Sequence, residues 1–285
     1  YMPDMDELSN PIDKFASQVY SSDQQLIGTW NADNNNRVAI DYNGLSPHLV
    51  HALVATEDER FYEHSGIDFI ALGRAVVKRG VMGQASAGGG STITQQLAKQ
   101  LFSEKAHSTV ERLLQKPIEW IIAVKLERYF TKEEILAMYF NYFDFLHNAV
   151  GIKRAANVYF NKEPRKLTVT ESAMLVGLCK NPSMFNPLRH PERCLQRRNV
   201  VLMQMVKSGY VTKDEYKELS QRPLGLHFTR SKPVSGAGDY FQAFLRQYMM
   251  AKKPERENYQ SWQNRQFVLD SIAWEQDPLY GWCNK

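Results

Sequence analysis

Long apolar runs are scarce in this 285-residue chain. No stretch approaches the roughly 20 consecutive apolar residues that a membrane-crossing helix requires. The strongest run, Trp120 to Val124, is stopped by Lys125. No secretory signal pattern opens the sequence, which starts on Tyr1 and reads as an excised piece. An absent membrane segment therefore says nothing about the parent chain. Cysteine is also sparse: Cys179, Cys194 and Cys283 are odd in number and widely spaced. That argues against both a disulfide framework and a zinc site, although two of them could still pair. Excess charge is small, +4 at pH 7, too little by itself to make a nucleic-acid binder. Neither Ser-x-x-Lys nor Lys-Thr-Gly occurs, so the acyl-enzyme chemistry of penicillin-sensitive serine enzymes has no nucleophile motif.

What is present is ordinary globular text. The 43 % hydrophobic and 23 % charged residues exclude a wholly disordered chain. The length suits about two domains. The first 45 residues read as extended structure and turns. Strand-like runs lie at Gln18–Tyr20, Leu26–Trp30 and Arg37–Ile40, with turns at Asn34–Asn36 and at Asn43-Gly44. Helical text starts at Ser46-Pro47, a cap followed by proline at the first helical position. Asp68 can cap a helix over 69–79, apolar at Phe69, Leu72, Val76 and Val77 and basic at Arg74, Lys78 and Arg79. The run containing Gly80, Gly83, Gly88, Gly89 and Gly90 predicts a mobile loop. Ser91 or Thr92 caps a helix reaching Phe102, and another spans about Thr109 to Tyr129 with a kink at Pro117. Capping boxes at Thr131/Glu134, Thr168/Glu171 and Thr212/Glu215 start helices near 132–142, 169–179 and 213–220. Arg193 to Lys207 is helical, with Val200, Val201 and Met205 apolar. After Ser235–Gly238 comes an aromatic amphipathic helix, Tyr240 to Met250, and then a polar tail from Lys252.

Three groups of residues could carry chemistry. Glu57 and Asp58 fall at the C-terminal end of the helix begun at Pro47. The partial negative charge there favours the protonated form of a carboxyl group, which suits general-base work near neutrality. Glu57-Asp58-Glu59-Arg60 also reads as an exposed acidic turn, and His64 as a structural hydrogen-bonder. Thr92, Gln95, Gln96 and Lys99 share one helix face opposite Ile93, Leu97 and Leu101. Such donors fit phosphates or sugar hydroxyls, and the same pattern fits a plain surface helix. Arg112, Lys116 and Glu119 stack along one side of the next helix. Glu57 and Glu119 would supply the two carboxylates of sugar chemistry, and the cations could stabilise a departing phosphate. The apolar and basic residues of the 69–79 helix suit anionic lipid headgroups and acyl chains, or packing on its own domain.

These residues also carry a resemblance. Ala55 to Gly66, with Glu57-Asp58 and His64, resembles the first motif of the peptidoglycan glycosyltransferases, the lysozyme-like domains of class A penicillin-binding proteins and their monofunctional relatives. Gly89 to Lys99, read as Gly-Gly-Ser-Thr-Ile-Thr-Gln-Gln-Leu-Ala-Lys, is similar to the second motif almost letter for letter. Lys132 to Asn141 resembles the fourth. Gly151-Ile152 through Tyr159-Phe160, Asn181 through Pro187, and Arg197-Arg198 are similar to later segments. The third motif departs: Gln115-Lys116-Pro117-Ile118-Glu119 has glutamine where the family has arginine, leaving Arg112 as the nearest candidate. The likeness covers about residues 45–225.

The resemblance implies a mainly α, lysozyme-like helical domain with a short extended N-terminal segment and a membrane-facing jaw. Its divisions would be an extended segment over 1–45, the glycosyltransferase domain over 46–225 with jaw and mobile loop at about 67–90, and a linker over 226–285 toward an absent transpeptidase domain. It implies polymerisation of lipid II on an undecaprenyl-diphosphate-linked donor, at the periplasmic face of the inner membrane, with the anchor outside this piece. Glu57 would be the base, and Glu119, the second catalytic residue, would orient the cations or the sugars. Asp58, Ser91, Thr92, Gln95, Gln96, Lys99, Arg112, Lys116 and Asn186 would bind substrate or diphosphate. No cofactor is required, and no protein-held metal is implied; a divalent cation (Mg2+ or Mn2+) could sit at the diphosphate. Partners would be lipid II, the growing glycan, the membrane surface and cell-wall assembly proteins, with no nucleic acid. Two other readings are a muramidase or lytic transglycosylase with Glu57 as acid, and a non-catalytic lipid II-binding scaffold.

Overall fold

The computed structural model describes residues 17–20, 22, 26–30, 38–77, 90–102, 109–229 and 239–285. These form two compact units: 38–229 make the first, and 17–30 with 239–285 make the second. The chain is mainly helical, as the caps and periodicity predict.

The first unit is built around helices that are buried almost all round, the pattern of a helix with no solvent face. Helix α1, Pro47–Glu57, buries Leu49, Val50, Ala52, Leu53, Val54 and Ala55. Pro47 takes the first helical position as expected, but Ser46 does not cap with its side chain. Its hydroxyl donates instead to the carbonyl of Leu167 (3.0 Å), tying the helix start to a distant turn. Short helix α2, Phe69–Val76, is capped by Asp68, whose carboxylate accepts from the N–H groups of Ile70 and Ala71. Then come α3, Ile93–Phe102, and α4, Thr109–Tyr129, which runs through Pro117 as one helix. Helices α5, Lys132–Tyr142, and α6, Ile152–Phe160, precede α7, Val169–Lys180. Helix α8, Pro191–Lys207, and helix α9, Lys213–Gln221, complete the unit. Helix α7 packs on α8, and α1 lies against both; α3 packs on α4 and α5. All three predicted capping boxes are formed, at α5, α7 and α9. A central core position such as Leu53, with no exposure, would cost about 2–5 kcal/mol on truncation to alanine.

Several expectations are corrected. Val38 to Ile40 form no strand, because the side chain of Asn141 takes both backbone groups of Ile40, accepting from its N–H (3.1 Å) and donating to its carbonyl (2.8 Å). Val200 faces outward, whereas its neighbour Val201 is fully buried. Helix α6 has no polar cap to announce it; it starts at Gly151, whose positive φ and approach to the Asn141 carbonyl (2.8 Å from a hypothetical Cβ) require glycine. The glycine-rich run predicted as a mobile loop lies outside the described residues except Gly90, which admits the backbone of α2 (Leu72 Cα 3.0 Å from a hypothetical Cβ). Lys78 and Arg79 of the predicted 69–79 helix also lie outside them.

In the second unit, strands β1, Ser17–Tyr20, and β2, Leu26–Trp30, pair antiparallel. Helix α10, Asp239–Met249, matches the predicted aromatic helix. The tail, read as merely polar, contains a further helix α11, Asn264–Gln276. Tyr248 donates to the Asp277 carboxylate, and Tyr259 to that of Asp270 (2.8 Å), fastening this unit internally. All three cysteines are free thiols, Cys179 and Cys194 buried and Cys283 exposed.

Candidate active site

Glu57 is the last residue of α1, and its side chain keeps 17 % exposure. It opens onto a polar cleft of about 350 Å3 lined also by Thr56, Asp58, Arg60, Arg74, Ser91 and Lys207. Both carboxylate oxygens are held. Oε2 accepts from Gln96 Nε2 (3.0 Å), and Oε1 lies 3.5 Å from Arg197 Nη2. Gln96 is itself fixed, since Tyr139 donates its hydroxyl to Gln96 Oε1 (3.1 Å). Burial pushes the Tyr139 hydroxyl well above its ordinary pKa, helped by the neighbouring Cys179 and Glu57, so it stays a donor. Burial likewise pushes the Cys179 thiol up, with Glu57 adding to it. That thiol is a buried neutral group and no nucleophile.

Asp58 sits beside Glu57 but turns inward. It is buried, accepts from Ile93 N–H (3.0 Å), and pairs with His64 Nε2 (3.0 Å). It therefore anchors the N-terminus of α3, where partial positive charge favours an anion. His64 is the structural hydrogen-bonder that the sequence suggests. Thr92 and Gln95 form a reciprocal cap at the same helix start. Gln95 N–H donates to Thr92 Oγ1 (3.1 Å), and Thr92 N–H to Gln95 Oε1 (3.3 Å). Thr92 also donates its hydroxyl to the carbonyl of Gly66 (2.7 Å). Both side chains are buried, so the polar face read along α3 is open at Gln96 and Lys99 rather than along its whole length.

On α4, Lys116 reaches both Glu119 Oε2 (2.8 Å) and Ser91 Oγ (3.4 Å). Glu119 is 1 % exposed while the Lys116 side chain keeps 35 %. Ser91 lines the Glu57 cleft, so the Lys116–Glu119 pair joins the cleft through that hydroxyl. Lys99 is exposed in the last turn of α3. The side chain of Arg112 lies outside the described residues. Asn186 is buried in a turn, where its Oδ1 accepts from the N–H groups of Leu188 and Arg189 and its amide meets His147. None of those partners lines the Glu57 cleft.

The sequence reading missed two features. Lys207 and Gln204 of α8 line the cleft. Arg197, quoted only as part of a motif, is the guanidinium beside Glu57. Its neighbour Arg198 serves structure instead, donating to the carbonyls of Leu219, Ser220, Arg222 and Pro223 at the end of α9. Among the described residues no cluster of three or more His, Cys, Asp or Glu side chains is placed to hold a metal. Three carboxylates here are engaged already: Asp58 with Ile93 and His64, Asp68 with its helix and Arg60, Glu119 with Lys116.

Comparison with known proteins agrees with the motifs. The family profile described as Transglycosylase matches residues 23–206. The chain is 39 % identical over 255 residues to Penicillin-binding protein 1A of Aquifex aeolicus, covering 89 % of this chain and 34 % of the relative. It is 36 % identical over 248 residues to Penicillin-binding protein 1A of Escherichia coli, covering 87 % and 28 %. It is 39 % identical over 212 residues to Penicillin-binding protein 1F of Bacillus subtilis, covering 74 % and 29 %. The crystal structure of Penicillin-Binding Protein 1A from Haemophilus influenzae aligns with a TM-score of 0.42 at 24 % identity, covering 83 % of this chain and 24 % of that one. The chain thus spans about a third of the length of these curated relatives. With that profile matching well over half of its residues, the chain belongs to the transglycosylase family.

Proposed function

We propose that this chain polymerises lipid II into glycan strands by inverting glycosyl transfer. The observation that carries the reading is the clamped Glu57 carboxylate opening onto a cleft whose Ser91 wall meets the Lys116 ammonium. Glu57 takes the proton of the acceptor sugar's 4-hydroxyl as that oxygen bonds to the donor's anomeric carbon. The bond from that carbon to the phosphate oxygen breaks, and the diphosphate leaves with the electron pair. A diphosphate needs cations rather than a strong acid as it departs, and Lys116, Lys99 and Arg112 supply them. Glu119 holds Lys116 toward Ser91, while Ser91 and Gln96 hold donor groups. Asp58, Thr92 and Gln95 act by building the α3 start that carries these groups.

A lipid-linked substrate calls for a surface it can reach from the bilayer. Phe69, Ile70 and Val77 of the α2 segment are exposed, with Arg74 exposed among them. That combination suits insertion of apolar side chains at an anionic interface, and it supports the membrane-facing role of this segment. Among the described residues no helix is long and apolar enough to cross a membrane. Labelled lipid II in detergent, followed on a gel, tests the whole reading. The wild type is expected to form polymer and Glu57→Gln to lose it by at least about 1,000-fold with its fold intact. Equal polymer from both would remove Glu57 as base, and release of fragments from finished cell wall instead would favour the lytic reading.

A further inference from the structure

Arg197 is a buried guanidinium whose carboxylate partner is the one that the proposed reaction depends on. Its seat is shaped for it. The residue is 9 % exposed, and its Nε donates to the Gly177 carbonyl (3.5 Å) in the middle of α7. Its stem lies where a side chain at Gly177 would be, with Cγ 3.2 Å from a hypothetical Cβ there. The Phe185 ring lies 5.9 Å from the guanidinium carbon, within cation–π range. Burial lowers the pKa of this guanidinium, and the Glu57 charge opposes that shift. Burying such a charge is costly, and a well-packed apolar residue commonly does as well for stability. The charge at this position is therefore better explained by what it faces than by what it stabilises.

We propose that Arg197 is a positioning residue for the general base, fixing the Glu57 carboxylate from the core side while Gln96 and Tyr139 fix it from the other. The two clamps together leave Glu57 one orientation, directed at the cleft. Arg197 acts through Glu57 and makes no contact with substrate. This inference rests on the proposed role of Glu57, and it adds a residue to it.

The test compares wild type, Arg197→Gln, Arg197→Lys and Gly177→Ala in lipid II polymerisation, with unfolding midpoints measured for each. Arg197→Gln is expected to lower kcat about 100-fold with KM little changed, the scale of a misplaced catalytic group. Added guanidinium ion, below denaturing concentration, should restore part of the rate, and Arg197→Lys should keep part of it. Gly177→Ala should reduce the rate less, by crowding the arginine stem without removing its charge. The carbon-13 signal of the Glu57 carboxyl group, read by NMR without substrate, should move in Arg197→Gln as the carboxylate leaves its held orientation. This last measurement separates the two ideas. If wild type makes no polymer yet the signal moves, the functional reading fails and the Arg197–Glu57 coupling stands. An unmoved signal, or a rate loss without guanidinium rescue, overturns the proposal.

Discussion

Glu57 and Glu119 are held by different physics. Glu57 ends a helix, keeps some contact with water, and is clamped by Gln96 from α3 and Arg197 from α8. Glu119 lies inside α4, almost wholly buried, and its ion-pair partner Lys116 is one turn away on the same helix. The first carboxylate is oriented by the tertiary fold and left open to a reacting group. The second is withdrawn from solvent and, in the proposed reaction, would aim a cation. A base needs access and a fixed direction; a cation that waits for a departing phosphate needs only an anchor. Variants should therefore separate the two: damage on the Lys116 side should spare the orientation of Glu57, while damage at Arg197 should not.

On the Glu119 side of that comparison the largest effect is expected from Lys116→Met. It removes the cation that meets Ser91 and should lower kcat about 100-fold, the loss typical of one charge-stabilising group. It also removes the positive partner of a buried carboxylate. A fully buried pair broken in this way costs about 3–5 kcal/mol, but the Lys116 side chain is one-third exposed, so water screens the loss to about 2 kcal/mol. Polymerisation rate and thermal unfolding, measured on the same samples, check both figures. A variant with normal rate would leave Lys116 a mere surface cation.

Asp58→Ala sharpens the comparison from the Glu57 side. The substitution strands the Ile93 N–H and His64, both inside the protein, and should cost about 2 kcal/mol of stability. Because α3 carries Gln96, activity should fall with the loosened helix start, and KM for lipid II should change less than kcat. A rise in KM alone, with unchanged unfolding, would return Asp58 to the role of direct substrate contact that the motif suggests.

How much of this could be read beforehand follows the same division. Helix starts with local signatures were legible: the Thr131, Thr168 and Thr212 boxes place α5, α7 and α9 because capping is a matter of four consecutive residues. The pairing of Lys116 with Glu119 was legible for the same reason. Arg197 was not, since nothing local distinguishes it from Arg198, and only the packing of α8 on α1 and α7 sends one guanidinium to Glu57 and the other to the end of α9. Gln95 and Gln96 are likewise adjacent and alike, yet one closes a cap and the other grips the base. The missing strand at Val38–Ile40 depends on an asparagine about a hundred residues away. Thr131→Ala measures what the local signals are worth: about 1 kcal/mol in thermal unfolding, with the polymerisation rate unchanged.

The smallest effect concerns a group far from either carboxylate. His51 lies on α1 and stacks on Tyr210 with ring centroids 4.1 Å apart. Burial, and then the neighbouring His48, lowers its pKa below the ordinary 6.5. In the unfolded chain His51 binds a proton near 6.5, and in the folded protein only at lower pH. Between those two values the unfolded state holds more protons, so stability is complete above about 6.5 and declines as pH falls toward the folded value. His51→Phe keeps a ring against Tyr210 and removes the proton, so its unfolding midpoint should depend less on pH in that window than the wild type's. Parallel curves for the two proteins would mean that His51 contributes nothing to acid sensitivity. Because His51 shares α1 with Glu57, a slope that does change would have to be subtracted before the acid limb of any polymerisation profile is assigned to the base.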